Sequence, residues 1–322
     1  MPTIILNQKA ILKLLDMAEV IGVVEAAFKD WAEGRGTMPP KAYLLLEKGD
    51  FRAMPASLPG AAGVKWVAVH PQNPGRGLPT VMGTIIYNDP QNGYPLAIMD
   101  GTDITAYRTG AAAAIASKYL ARPDARTLGI IGAGRQAHTQ IQAHLPLFNI
   151  KQVKVFDTHK EATVRLIKAF PEYPLRESTL EETAAADIVC TLTPSREPYL
   201  KKEWIAPGTH INAIGADAEG KEELEPALLK RAMVVVDDIR QASVAGEINV
   251  PVAKKLFSVD EVYANLGEII AGKKRGRTDP KAITIFDSTG VAIEDIAVTK
   301  IIYEKALKNG NFMTINMIGT AP

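Results

Sequence analysis

Cysteine is almost absent from this sequence: Cys190 is the only one among 322 residues, which excludes an intrachain disulfide. An excess of either charge is also absent, because 37 basic and 36 acidic residues leave a formal net charge of +1. This balance argues against nucleic acid or a membrane surface as a partner. No apolar run approaches the roughly 18 residues of a membrane-spanning helix, and the first residues lack the pattern of a signal peptide. We therefore expect a soluble, cytoplasmic protein.

Metal-ligand spacing is missing as well. The five histidines do not stand in sequence at metal-binding spacings from cysteine or carboxylates, so no metal site is predicted. Cys190 falls in the apolar run 187–193, where we expect a buried, unreactive thiol. Hydrophobic residues make up 47% of the chain, which is enough for a large core, and the length favours two domains.

What the sequence does contain is a glycine pattern, Gly132-x-Gly134-x-x-Ala137, between an apolar strand and a helix. Gly132 permits a tight bend, Gly134 lets the backbone approach a pyrophosphate, and Ala137 lets the helix pack on the strand. The helix N-terminus offers N–H groups to phosphates. Asp157 ends the next strand about 20 residues later, where a carboxylate binds ribose hydroxyls and repels a 2′-phosphate. The pattern predicts NAD rather than NADP; the alternative is a plain tight turn with Asp157 as a strand-end cap.

The order of helices and strands predicts two kinds of structure. Residues 7–34 have helical periodicity, and residues 41–100 contain five strands separated by turns, which indicates an antiparallel α+β module. From residue 127 onward, continuous apolar strands alternate with helices, which is typical of a doubly wound parallel sheet. The polar link 122–126 marks the boundary. A final helix and short strand have no place in that sheet, so we expect them to return to the first module.

Four cations interrupt apolar segments of the first module. Lys41, Arg52 and Lys65 either lie on a solvated face of the sheet or bind an anion, and each taken alone favours the solvated face. Period-2 alternation allows Lys65 to lie on the outer face. Arg108 follows Thr105, a candidate helix cap, and so falls in the first helical turn, where a cation opposes the helix dipole. That position favours a facing anion and an ordinary surface arginine equally.

Residues beyond the strand ends of the predicted parallel sheet are the natural ligand-binding positions. They are Thr193-Pro194, Gly215-Ala-Asp217 and Asp287-Ser-Thr-Gly290. Asp217 follows an apolar strand directly and is a candidate proton shuttle or partner of a substrate amine. A turn-forming aspartate is the alternative, and it is favoured when this segment is considered alone.

Taken together, the motifs resemble one family. They are Met38-Pro-Pro-Lys41, Gly63-Val-Lys-Trp66, Leu78-Pro-Thr80, Arg108-Thr-Gly110, Gly132-Ala-Gly-Arg-Gln136, Gly215-Ala-Asp217 with Lys221, Gly246-Glu247 and Phe286-Asp-Ser-Thr-Gly290. In this order they resemble the ornithine cyclodeaminase/mu-crystallin family, and most closely its archaeal-type alanine dehydrogenase branch. The combination is specific, although no single motif is.

The resemblance implies an α/β fold and an activity. The fold would combine a Rossmann-type doubly wound parallel sheet, forming an NAD-binding domain at 122–296, with an α+β dimerisation and substrate domain at 1–121 and 297–322. The protein would be a homodimer. Its activity would be the reversible, NAD-dependent oxidative deamination of L-alanine or a similar small amino acid to the 2-oxo acid and ammonia.

The resemblance also implies residue roles. Lys65 and Asp217 would be the catalytic acid–base groups. Substrate contacts would come from Lys41, Arg52, Lys65, Arg108 and Thr289. Cofactor contacts would come from Thr80, Arg108, Gly132, Gly134, Arg135, Gln136, Asp157, Thr193, Gly215, Asp217, Lys221 and Ser288.

One departure from the family concerns Arg52. Cyclodeaminases of this family carry a glutamate in this region, which receives the distal amine of ornithine, whereas a cation would repel it. Losing that pairing in a closed site costs a few kcal/mol, which argues against ornithine. The alternatives are an ornithine cyclodeaminase that recycles NAD, an imine or ketimine reductase, and a mu-crystallin-like ligand-binding protein. The binding-protein branch prefers NADPH, and Asp157 argues against it.

Overall fold

The computed structural model describes residues 2–319. These residues form two compact units. Unit 1 contains the described residues up to Arg108 and from Val291 onward, and unit 2 is Thr109–Gly290. The predicted domain boundary 121/122 falls just after the helix Thr102–Leu120, whereas 296/297 falls inside the helix Ala292–Asn309. The assignment of one domain to dimerisation and substrate binding and of the other to NAD binding remains a prediction.

Unit 1 is built on a seven-stranded sheet. Its elements are β1 (Thr3–Leu6), α1 (Gln8–Leu12), α2 (Met17–Ala32), β2 (Ala42–Leu46), β3 (Gly49–Leu58), β4 (Ala61–Val69), β5 (Val81–Asn88), β6 (Pro95–Asp100), the start of α3 (Thr102–Leu120), α11 (Ala292–Asn309) and β15 (Met313–Ile315). The strand order is β15-β1-β6-β5-β4-β3-β2. Both α11 and α2 pack on β3, and α11 also packs on β4 and β5.

The five predicted strands of residues 41–100 are present as β2 to β6. They are antiparallel throughout, but β1 adds a parallel pairing with β6 and makes the sheet mixed. The tail strand β15 pairs with β1, so the expected return of the tail to the first module is confirmed. Asp16 caps α2, because its side chain accepts the Glu19 N–H at 3.0 Å.

Unit 2 contains an eight-stranded sheet in which every pairing is parallel. Its elements after α3 are β7 (Thr127–Ile131), α4 (Arg135–His144), β8 (Gln152–Phe156), α5 (Lys160–Ala169), β9 (Leu175–Glu177), α6 (Leu180–Ala184), β10 (Ile188–Thr191), β11 (His210–Ala213), α7 (Pro226–Leu229), β12 (Ala232–Val236), α8 (Ile239–Ala245), α9 (Asn249–Ala253), β13 (Ala264–Asn265), α10 (Leu266–Ile270) and β14 (Ile283–Asp287).

The strand order of unit 2 is β13-β12-β14-β11-β10-β7-β8-β9. The chain runs outward from β7 through β8 to β9, and then returns to place β10 on the other side of β7. Successive residues enter different buried clusters: Ile188 packs in one and Val189 in the other. Both sheet faces are therefore covered, and the predicted doubly wound Rossmann-type fold is confirmed. The reversal between β7 and β10 places the loops after these strands side by side.

Candidate active site

Lys65 lies in the middle of β4 and is completely buried. Its register partners Met54 and Ile85 are buried with it, so all three occupy the inner face of the sheet. The Lys65 Nζ atom is 2.7 Å from both carboxylate oxygens of Asp295 and 3.3 Å from the Thr105 hydroxyl oxygen. The solvated-face interpretation of Lys65 is therefore wrong, because the alternation of β4 turns this side chain inward.

Arg108 belongs to the same cluster. Its Nη1 donates to Glu294 Oε2 at 2.7 Å, and its Nε donates to Asp295 Oδ1 at 3.1 Å. The surface interpretation of Arg108 is wrong, since the residue is almost fully buried against two acids. Its predicted place in the first helical turn is also wrong. The helix begins at Thr102, Thr105 lies inside it and donates to the Gly101 carbonyl at 2.6 Å, and Arg108 falls in the second turn.

The buried charges shift the protonation of Lys65. Its pKa is lowered to about 7, first by burial and then by the positive charge of Arg108, while Asp295 and Glu294 act in the opposite direction. At neutral pH this lysine therefore exchanges between ammonium and amine. A group of this kind can both donate and accept a proton at the pH where the reaction would run.

Arg52 is also buried on the inner face of unit 1. It pairs with Val67, two residues along β4 from Lys65, and therefore points to the same side of the sheet. The solvated-face interpretation is wrong for Arg52 too. Its Nε donates to Asp50 Oδ1 at 2.6 Å, and its guanidinium lies 5.3 Å from the centre of the Tyr43 ring. Asp50 compensates its charge, so the repulsion of a second substrate ammonium is weaker than for a lone cation.

The other predicted contacts from unit 1 lie just before strands. Lys41 is half-buried at the start of β2. Thr80 is half-buried directly before β5, and its backbone carbonyl accepts the His70 N–H at 2.8 Å. Substrate and cofactor roles for these two residues remain predictions.

Glu294 and Asp295 are the residues that the sequence reasoning missed. They lie in the first turn of α11 and are fully buried. The pattern before an apolar stripe is that of an ordinary helix start, where acids are favourable anyway because of the helix dipole. The available signal was that two cations, Lys65 and Arg108, stand among apolar residues and would need acidic partners if they were buried. Nothing local in the sequence connects these acids to residues 65 and 108.

The glycine turn of unit 2 has the geometry that its sequence predicts. Gly132 has φ +100°, and a Cβ there would lie 3.0 Å from the Leu192 carbonyl oxygen, so glycine is required. Gly134 occupies the N-cap of α4, and a Cβ on it would meet open space. Arg135 and Gln136 are the first two residues of that helix. The backbone is therefore open for a phosphate to approach the helix N-terminus.

Asp157 touches this turn directly. Its Oδ2 accepts the Ala133 N–H at 2.7 Å, and its Oδ1 accepts the His159 N–H at 2.7 Å. The carboxylate thus lies beside the glycine turn, as a ribose-binding acid would. It also caps the end of β8, so the two interpretations offered for this residue describe one arrangement.

A buried carboxylate, that of Glu223, holds the loops that follow β10 and β11. It accepts bonds from Thr191 Oγ1 at 2.6 Å, Thr193 N at 2.8 Å, Thr193 Oγ1 at 2.7 Å, Tyr199 Oη at 2.7 Å and Gly215 N at 2.9 Å. A Cβ on Gly215 would come 2.1 Å from the Thr193 carbonyl oxygen. The structure therefore brings Thr193 and Gly215 together, and Glu223 is a third residue that the sequence reasoning missed.

Asp217 forms an ion pair with Lys221. The Lys221 Nζ is 2.5 Å from Asp217 Oδ1, and both side chains are partly exposed. The two predicted residues are thus adjacent, and Asp217 is more than a turn former. Its acid–base role remains a prediction.

Asp237 organises the segment that follows β14. The Gly290 N–H donates to its Oδ2 at 2.6 Å, the Thr289 hydroxyl lies 3.2 Å from both oxygens, and the Ser288 hydroxyl lies 3.4 Å from Oδ2. Asp237 therefore fixes Ser288 and Thr289 just beyond the end of β14, which is where the prediction placed them. Sequence reasoning did not find Asp237. It is the first residue of the pair Asp237-Asp238, which matches no known ligand-binding motif.

Three further findings concern other site types. Within residues 2–319, no cluster of three or more His, Cys, Asp or Glu side chains is placed to hold a metal ion. No helix in the same part of the chain combines the length and apolar character needed to cross a membrane. Cys190 is fully buried, so its predicted burial is confirmed. Burial also raises the pKa of its thiol to about 12, which favours the unreactive form.

The family assignment follows from a family-wide pattern that matches residues 1–310. This chain belongs to the ornithine cyclodeaminase/mu-crystallin family. The predicted resemblance is confirmed over almost the whole chain.

Individual members of the family are similar to this chain over nearly its whole length. Alanine dehydrogenase of Archaeoglobus fulgidus is 50% identical over 309 residues, covering 95% of this chain and 96% of the relative. A solved structure of an archaeal alanine dehydrogenase dimer with bound NAD has a TM-score of 0.97 and 48% identity, covering 99% of this chain and all of that one. The Δ1-pyrroline-2-carboxylate reductase of Thermococcus litoralis, solved with NADH and L-proline, has a TM-score of 0.93 and 37% identity, covering 97% and 100%.

Proposed function

We propose that this protein is an NAD-dependent dehydrogenase that catalyses the reversible oxidative deamination of L-alanine, or a similar small amino acid, to the 2-oxo acid and ammonia. The observation that carries the proposal is the buried Lys65, whose Nζ lies 2.7 Å from Asp295 beside Arg108. A lysine that titrates near neutrality next to a fixed guanidinium suits both proton transfer and carboxylate binding. The 50% identity to an alanine dehydrogenase favours alanine over the substrates of the other family members.

Unit 2 fits a dinucleotide. The positive φ of Gly132, the open space at Gly134 and the N-terminus of α4 suit a pyrophosphate, and the Asp157 carboxylate suits ribose hydroxyls. The remaining contacts proposed for the cofactor are those of Thr80, Arg108, Arg135, Gln136, Thr193, Gly215, Asp217, Lys221 and Ser288. When bound, NAD supplies the acceptor for the hydride that leaves the substrate Cα.

Unit 1 contains residues that we propose bind the substrate carboxylate and transfer protons. Arg108, with Lys41 and Arg52, binds the substrate carboxylate; Thr289 is a further proposed substrate contact. Lys65 in its amine form takes a proton from the substrate ammonium and releases it to solvent after the hydride has left. The regenerated amine then accepts a proton from the water that attacks the imine carbon and passes this proton to the departing nitrogen. Expulsion of ammonia then yields the 2-oxo acid. Asp217 is the other acid–base candidate, and its pairing with Lys221 keeps a cation beside the carboxylate.

A second candidate is reduction of a cyclic imine that bears a carboxylate. It is favoured by the structural similarity to the reductase solved with NADH and L-proline. The same groups would serve, since the carboxylate needs cations and the imine nitrogen needs a proton donor. What separates the two functions is whether free ammonia takes part.

We also infer that the protein is a homodimer, assembled through the outer face of the unit 1 sheet. Leu44, Trp66 and Ile86 project from that face and are 52%, 42% and 39% exposed. Every residue of β2 is exposed as well. An apolar surface of this kind marks a protein interface, and the similar archaeal alanine dehydrogenase was solved as a dimer. A measurement of the molecular mass in solution tests whether the protein is a dimer. The cytoplasmic location of the protein also remains a prediction.

The deciding experiment follows the absorbance of NADH in three parallel assays. Loss of NADH with pyruvate that requires ammonia is the expected result. Loss of NADH with Δ1-pyrroline-2-carboxylate in the absence of ammonia would support the second candidate instead. Formation of proline and ammonia from L-ornithine, with no net change in NADH, would show that Arg52 does not exclude a second ammonium. Inactivity in all three assays would contradict the dehydrogenase proposal and leave a ligand-binding protein.

A further inference from the structure

Asp295 is the point where the two buried cations of unit 1 meet. Its Oδ1 lies 2.7 Å from Lys65 Nζ and 3.1 Å from Arg108 Nε. Its Oδ2 lies 2.7 Å from the same lysine nitrogen. Asp295 is completely buried, as is Lys65. One carboxylate therefore contacts both cations in a region without bulk water, where charge interactions are strong.

Glu294 plays a different part in the same helical turn. Its Oε2 accepts a hydrogen bond from Arg108 Nη1 at 2.7 Å, and its charge raises the pKa of Lys65 less than that of Asp295 does. The two neighbouring acids thus make different contacts. Glu294 binds Nη1 of Arg108, whereas Asp295 binds both Nε of Arg108 and Nζ of Lys65. This difference offers a matched pair of variants one residue apart.

The remaining surroundings of Lys65 leave Asp295 as its direct counter-ion. From β3, Met54 is the register partner, and Arg52 points to the same face but binds Asp50. From β5, the register partner is the apolar Ile85. From α3 come Arg108 and the Thr105 hydroxyl, which donates to Gly101 and can accept from Lys65. From α11 come Glu294 and Asp295.

We propose that Asp295 is a positioning residue that fixes the Lys65 ammonium beside Arg108 and determines the protonation state of Lys65 through this shared carboxylate. The proposal rests on the catalytic role proposed for Lys65. Asp295 itself touches no reacting atom; it acts through the lysine. Without it, two cations would face each other in a buried site, and the lysine would lose its proton to relieve the repulsion.

The direction of each effect follows from the charges. Removing the anion in Asp295→Asn lowers the pKa of Lys65, because the ammonium loses its contact partner. Removing the cation in Arg108→Gln raises it, since Asp295 then serves Lys65 alone. Glu294→Gln lowers it less than Asp295→Asn does, because Glu294 raises the Lys65 pKa less than Asp295, which also accepts a hydrogen bond from the lysine.

The test is NMR titration of protein labelled with ¹³C at the lysine Cε, with the Lys65 signal assigned by its loss in Lys65→Met. We expect a midpoint near 7 in the wild type, a decrease of about one pH unit or more in Asp295→Asn, less than half that decrease in Glu294→Gln, and an increase in Arg108→Gln. In an active enzyme, the acidic limb of kcat/KM for the amino acid should move with the midpoint.

An unchanged Lys65 midpoint in Asp295→Asn would overturn the proposal, and so would equal decreases in Asp295→Asn and Glu294→Gln. If Asp295→Asn does not fold, Arg108→Gln and the charge-conserving Asp295→Glu decide. The first must raise the midpoint, and the second must keep it within about half a pH unit of the wild type. The titration needs no turnover. Lack of activity with a normal set of midpoints would therefore reject the proposed reaction without rejecting the role of Asp295.

Discussion

The two units bury charged groups in different ways. In unit 1, Lys65 and Arg108 bind acidic side chains, so both partners of each contact can ionise. In unit 2, buried carboxylates such as those of Glu223 and Asp237 bind backbone N–H groups and hydroxyls. A carboxylate that binds the backbone fixes the path of a loop, whereas one that binds an ammonium sets a protonation equilibrium. The comparison predicts that variants of unit 1 affect proton transfer and that variants of unit 2 affect cofactor affinity or stability.

The largest effect is expected for Lys65→Met. Without the lysine, kcat should fall by about 10²- to 10⁴-fold, the usual contribution of a positioned acid–base group. NADH affinity should be unchanged, because the glycine turn lies in unit 2. Steady-state kinetics and a fluorescence titration with NADH measure the two quantities. Lys9→Met, which changes an exposed lysine of unit 1, should match the wild type. Loss of NADH binding in Lys65→Met would remove the residue from its catalytic role.

Gly132→Ala should reverse this pattern. The φ of +100° and the short approach to Leu192 make alanine costly by about 1–3 kcal/mol. NADH affinity should therefore decrease about tenfold to a hundredfold, while kcat at saturating NADH stays close to that of the wild type. Gly60→Ala is the matched control, because Gly60 also has a positive φ but lies in a turn of unit 1. If Gly60→Ala weakened NADH binding equally, the glycine turn would not be the binding site.

His144 gives unit 2 its own dependence on pH. Burial lowers the pKa of His144 to about 4, below the value of about 6.5 in an unfolded chain. Between these values the unfolded state binds the additional proton. The free energy of unfolding should therefore fall as the pH decreases from 6.5 to 4, by up to about 1.4 kcal/mol per pH unit. Denaturant titrations should show a shallower dependence in His144→Asn, and identical slopes would contradict this assignment.

The smallest effect is expected for Asp157→Asn. Asparagine keeps an acceptor for the Ala133 N–H but removes the charge that would repel a 2′-phosphate. Discrimination against NADPH should decrease by about tenfold, corresponding to a repulsion on the order of 1 kcal/mol. The ratio of kcat/KM for NADH and NADPH measures this change. Asp124→Asn, at an exposed acid of the same unit, should leave the ratio unaltered; a change of equal size there would point to net charge rather than to Asp157.

Sequence patterns with short range predicted most of unit 2. The glycine turn, the parallel strands and the acid at the end of β8 lie within a few tens of residues of one another, and each obeys a local rule of backbone geometry. The five antiparallel strands of unit 1 were predicted for the same reason. The predicted start of α3 at Thr105 was wrong, because Thr102 begins the helix and the threonine hydroxyl bonds inside it.

The arrangement of charges in unit 1 could not be predicted in the same way. A lysine between apolar residues of a strand is compatible with either face of a sheet, and only its partner decides between them. The partner of Lys65 lies 230 residues away, and that of Arg108 lies 186 and 187 residues away. Alternation gives the relative orientation of neighbours in a strand, but it does not show which face a distant helix will cover. The parallel pairing of β1 with β6 escaped prediction for the same reason.

The sequence distance between Lys65 and Asp295 also has a consequence during synthesis. A ribosome adds about 5–20 residues per second, so the 230 residues that separate the pair take on the order of 10 to 50 seconds to make. All of unit 2 is made in that interval, before α11, which packs on β3, β4 and β5 of unit 1. Until α11 has been made, Lys65 lacks its partner Asp295. Lys65 therefore acquires the environment that lowers its pKa in one of the last steps of making the chain.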